Sequence, residues 1–175
     1  MFSLAYTPAY DPYHTVFRFL VLLTSSENQV LTYRSARAAD FFFCFPWSLK
    51  DVRAPRDIEG FARTRNAIVK KYPKSGYDNF PSARVVFERM EMIQATAVSA
   101  LAGAKMIDAN AATSERLVLN YENIPKELMN SVENASQKTS DLVAFLAIDF
   151  PKMDELGKDG VLARSGLGEH SYDVV

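Results

Sequence analysis

The chain has 175 residues, 48% of them hydrophobic, and a formal net charge of −1, enough for one domain with a sizeable core. A single cysteine excludes an intramolecular disulfide and, with only two histidines, leaves no tetrahedral zinc set. The longest apolar run, Phe19 to Leu23, is too short to span a bilayer, and the first residues lack the basic leader of a signal peptide. A soluble, cytoplasmic protein is expected.

In chain order, residues 1–10 read as an extended arm, with Phe2, Leu4 and Tyr6 alternating. Asp11-Pro12 then starts a helix, a carboxylate at the cap and proline in the first turn. From Tyr13 to Leu23 that helix is apolar on nearly every side, so other elements or a partner must cover it. Ser25 to Asn28 ends it. A second helix is predicted from about Thr32 through Ala36, Ala39, Phe42 and Phe43, stopped by Pro46. The run Phe41 to Trp47 is the densest aromatic cluster, and core packing is its commonest meaning. A third helix is predicted over 58–71, capped by Asp57 and closed by Tyr72-Pro73. Residues 74–81 form a turn-rich loop.

The chain is organised around Ser82 to Asn120. Ser82 caps a long helix whose Val86, Met90, Ile93, Ala97 and Leu101 recur at steps of three and four, with Arg84 and Glu88 poised to pair. The helix weakens at Gly103, a polar loop spans 109–115, and Leu117-Val118-Leu119 is strand-capable. Long helix, short strand, polar turn and return strand describe a winged helix. Asn123-Ile124-Pro125 begins a further helix towards Pro151, with a loose middle at 130–137. The last eighteen residues, 158–175, carry three of the seven glycines and are expected to be flexible, or ordered only against a partner. The expected fold is therefore mainly α: a winged-helix-like domain over 1–122 with a short β wing, a C-terminal helical extension over 123–157 and a tail.

Charge is unevenly placed. Residues 33–74 hold ten Lys/Arg against four acids, and 107–175 hold twelve acids against six bases. A solvated helix face is the ordinary meaning; contact with DNA or an acidic partner is the functional one, and Arg34, Arg37, Arg63, Arg65, Lys70 and Lys71 are its candidates. Reactive chemistry is sparse. His14 lies three residues beyond Asp11, Cys44 sits among phenylalanines that would leave its thiol inert, and no phosphate loop, nucleophile elbow or metalloprotease motif occurs. No catalytic residue, metal or cofactor is expected.

The segments Tyr10–Arg18, Phe41–Leu49 ahead of Lys50-Asp51, and Arg89–Gln94 resemble the middle component of bacterial ABC-three-component conflict systems, which overlap with the Lamassu-type anti-phage systems; the resemblance covers residues 8–108. It implies a non-catalytic accessory subunit in a hetero-oligomer, bridging an SMC-like ABC ATPase and an effector, often a nuclease, with no membrane or small-molecule partner. Tyr13, Phe17, Phe41, Phe42, Phe45 and Trp47 are the candidates for partner binding. Two other readings stand beside it. A winged-helix transcription regulator fits the pattern, although the long helix carries few bases and the 109–115 turn none. A cryptic hydrolase would need His14.

Overall fold

The computed structural model describes residues 7–76 and 80–168. The expected arm at 1–6, the tip of the loop at 77–79 and the end of the tail at 169–175 lie outside the described residues. The chain is mainly helical with one small two-stranded antiparallel sheet, in a winged-helix-like arrangement.

Helix α1 (Pro12–Ser25) starts where the Asp11 carboxylate accepts from the backbone N–H groups of Tyr13 and His14 at 2.8 and 3.1 Å. The run Phe19 to Leu23 is wholly buried. Strand β1 (Val30–Thr32) leads directly into α2 (Tyr33–Cys44), and Thr32 is both the last strand residue and the helix cap, accepting from the Ser35 N–H at 3.2 Å. A 3-10 turn, Pro46–Asp51, follows. Helix α3 (Phe61–Lys71) begins later than the sequence predicts, because Gly60 takes a left-handed φ of 74° that separates the Asp57 region from the helix.

Helix α4 (Ala83–Gly103) is capped by the Ser82 hydroxyl as expected, and Arg84 Nε meets Glu88 Oε1 at 2.9 Å. Its end is pinned by the Lys105 carbonyl, which accepts from the side-chain amides of Asn120 and Asn123. The expected polar turn is instead a short helix, α5 (Ala109–Thr113), capped by Asp108. Strand β2 (Arg116–Val118) draws its ladder from β1, in the register Val30↔Val118, Leu31↔Leu117 and Thr32↔Arg116. The segment leaving α4, expected as a short strand, forms none and contributes the isolated bridge Ile107↔Leu119. The β1 ladder prevails because its central row, Leu31 opposite Leu117, is buried on both strands.

Helix α6 (Lys126–Lys138) runs unbroken through the residues expected to be loose; the break falls at Thr139, before α7 (Ser140–Ala144) and a π turn, Phe145–Asp149. Residues 158–168, expected to be tail, are seated on the protein by α8 (Val161–Ser165), with Val161 and Leu167 buried. Helix α8 packs on α2, and the Glu155 carboxylate accepts from the Thr32 and Ser35 hydroxyls at 2.6 and 2.9 Å. The buried apolar residues, from Ala9 to Leu167, form one cluster. Its axis is α1, which packs against α2, α4, α6 and α7. The all-round apolar helix is therefore covered by its own chain.

Candidate functional site

The aromatic run divides between core and surface. Helix α2 turns Phe41 and Phe42 inward, where they are essentially unexposed. Phe41 meets Phe42 and Phe87 edge-on, and Phe42 meets Phe150 at 5.4 Å. These two partner-binding candidates are core residues, because the α2 face they share with Ala38 and Asp40 is closed over by neighbouring helices. The other four stay within reach of solvent. Tyr13 is 86% exposed, and Phe17, Phe45 and Trp47 are half-buried. Pro46 ends α2 and swings Phe45 and Trp47 out of the helical register, leaving their rings in edge contact at 5.4 Å.

Phe17, Phe43, Phe45 and Trp47 line an open cleft of about 490 Å³ between the start of α1 and the end of α2. Arg18 also reaches this cleft. Its guanidinium donates Nε to Asp40 Oδ1 at 2.6 Å, Nη2 to Asp40 Oδ2 and to the Thr15 hydroxyl, and Nη1 to the Pro8 carbonyl. Burial alone would favour the neutral arginine, but the Asp40 carboxylate more than offsets this and holds the Arg18 pKa above its ordinary value. Asp40 accepts a further bond from Gln94 Nε2 at 2.9 Å, and Gln94 Oε1 accepts from Arg37 Nε at 2.8 Å. A continuous polar chain thus ties α1, α2 and α4 beneath the cleft. Burial pushes the Cys44 thiol far above its ordinary pKa, consistent with an inert cysteine.

The six basic candidates do not share one surface. Arg34 donates to the Glu155 carbonyl at 3.1 Å. Arg37 is held by Gln94 and lies 4.4 Å from the Phe87 ring centroid. Arg65 bonds the Val52 carbonyl and the Asn66 side chain. Lys71 pairs with Asp141 at 2.9 Å. Arg63 and Lys70 alone among the six point outward with no acid partner among the described residues.

Sequence reasoning missed Arg18, Asp40 and Gln94. The available signal was one charge of each sign at positions that periodicity marks as core, which a buried ion pair explains. Arg18 and Gln94 also close two of the three segments that carried the family resemblance.

Among the described residues, no group of three or more His, Cys, Asp or Glu is arranged to hold a metal ion, and no helix is long and apolar enough to cross a membrane. The class defined is a mainly helical, winged-helix-like protein with an open aromatic cleft over a buried ion pair. More particularly, the chain belongs to the Middle Component 5 family of ABC-three component (ABC-3C) systems, whose family model matches residues 4–173. A middle component acts beside the other components of such a system. No curated protein and no solved structure matches the chain.

Proposed function

We propose that this chain is the non-catalytic accessory subunit of an anti-phage defence complex, bridging an SMC-like ABC ATPase and an effector nuclease in the cytoplasm. The observation that carries the reading is the family match over nearly the whole chain. The aromatic cleft supports it. Half-buried aromatic rings in an open hollow, beside an exposed tyrosine, are the anchors that protein interfaces favour. The cleft is also rigid, since the polar chain from Arg18 to Gln94 fixes the helices that form its walls, and a preformed cleft loses little entropy on binding. A regulator's recognition helix would direct its cations at phosphates, whereas on α4 Arg84 is engaged by Glu88.

The test is co-purification from cells expressing the three neighbouring components together. The wild-type chain is expected to bring down both larger subunits. Tyr13→Ser with Phe45→Ser is expected to weaken capture of one of them by about tenfold or more, as hot-spot anchors do, while the thermal melt stays cooperative. A wild-type chain that captures neither component, in the presence of ATP or nucleic acid as well as without, would sink the proposal.

A further inference from the structure

The 3-10 turn Pro46–Asp51 packs on α3 and opens, on the side away from the cleft's α1 wall, into a second hollow of about 340 Å³. Trp47 and Phe80 supply its aromatic wall, their centroids 5.8 Å apart in edge contact, and Lys50 and Lys74 rim it. Asp51 is the one acid in its described lining. The Lys74 ammonium stands 5.8 Å from the Phe80 ring centroid.

The hollow continues into a ridge of charge. Phe61 and Ile68 are the buried residues of α3, which leaves Arg63 and Lys70, seven residues apart, on its outward side. The helical rise separates them by about 10 Å along the axis. Lys50, Arg63, Lys70 and Lys74 are all exposed, and none has a carboxylate partner among the described residues. At the opposite end of α3, Arg53 and Arg56 mix with Asp57 and Asp159, and Arg63 shares a shallow hollow with Arg56 and Glu59, so the least compensated stretch runs from Lys70 to the Trp47/Phe80 hollow.

We infer that the Trp47/Phe80 hollow and the ridge of Lys50, Arg63, Lys70 and Lys74 form a binding surface for single-stranded nucleic acid. The cations track the phosphate backbone, and the aromatic wall stacks a base that is free of any duplex, the combination that binds single strands without reading sequence. An acidic protein segment would use the cations, but only an occasional aromatic residue could enter the hollow, whereas every nucleotide carries a planar base beside its phosphate. A duplex would meet the ridge, but its bases are held in its own stack. This surface goes beyond the bridging role and does not depend on it.

Trp47 is the only tryptophan in the chain, so its fluorescence reports on the hollow directly. The full-length protein is titrated with an end-labelled oligothymidylate of about twenty nucleotides at low salt, following both anisotropy and tryptophan emission. Binding with quenching of Trp47 is expected, together with a salt dependence of log K near −2 to −3 for four phosphate contacts. The variant Lys50→Glu/Lys70→Glu/Lys74→Glu is expected to keep its thermal melt and its capture of the other components while binding the oligonucleotide about tenfold or more weakly. The inference falls if no binding is seen at low salt, if the variant binds as well as wild type, or if anisotropy rises with no quenching. It falls equally if poly-glutamate or a duplex of matched charge competes as well as the single strand. Lost capture of the larger subunits with oligonucleotide binding intact would count against the bridging role alone.

Discussion

At the scale of single residues, the most consequential pair is Arg18 and Asp40. Both sit in the interior, and Asp40 accepts from Arg18 and Gln94 together. Removing one partner strands the other charge in a low-dielectric site, so Arg18→Leu is expected to cost about 3–5 kcal/mol in urea unfolding. Replacing both, as Arg18→Leu with Asp40→Leu, is expected to cost less than either single change, because no unpaired charge remains. A second pair lies at the surface. Asp141 accepts from Lys71 Nζ and the Tyr72 hydroxyl, each at 2.9 Å. Although partial burial opposes ionisation, these bonds hold the Asp141 pKa below its ordinary 3.8, and the Asp141 hydrogen bond raises that of Lys71 above 10.5. A depressed carboxylate contributes stability above its unfolded pKa and loses it as pH falls through the folded one; a raised lysine contributes below its unfolded pKa and loses it as pH rises through the folded one. The small Tm difference between wild type and Asp141→Asn is therefore expected to be flat across neutral pH. It should close in acid below about pH 3.8 and again in strong base above about pH 10.5.

At the scale of elements, the segment that closes over α2 depends on one glycine. A Cβ at Gly160 would lie 2.8 Å from the carbonyl carbon of Leu156, a backbone atom that has no flexible end to move aside. Gly160→Ala is therefore expected to loosen residues 153–168, at a cost of about 1–3 kcal/mol. Limited proteolysis should then cut within this segment in the variant and spare it in wild type. The same segment explains why Arg34 is unavailable to a partner, since the Glu155 carbonyl engages it.

At the scale of the whole molecule, the sequence required cover over the apolar first helix, from other elements of the chain or from a partner. The structure supplies that cover from the chain itself. Helix α1 is enclosed by four helices of the same chain, and among the described residues the most exposed aromatic side chain is Tyr13. The isolated protein is expected to be soluble and to melt in one cooperative transition. A broad, non-cooperative melt with strong dye binding, the signature of loosely packed apolar surface, would contradict this.

The caps and periods were legible from the sequence. Asp11, Thr32 and Ser82 head their helices, the Val86 to Leu101 stripe faces the core, and Arg84 pairs with Glu88 across one turn, all because these preferences act within a few residues of each other. The three segments behind the family resemblance were legible for the same reason. What only the tertiary structure decided depends on residues far apart in the chain. Strand β2 pairs with Val30–Thr32, some 86 positions away, and Asp40 meets Gln94 across 54. Which aromatics of the Phe41–Trp47 run face solvent, and which cations remain free, follows from neighbours that no local pattern specifies. Periodicity marks a face as apolar; packing alone determines what covers it.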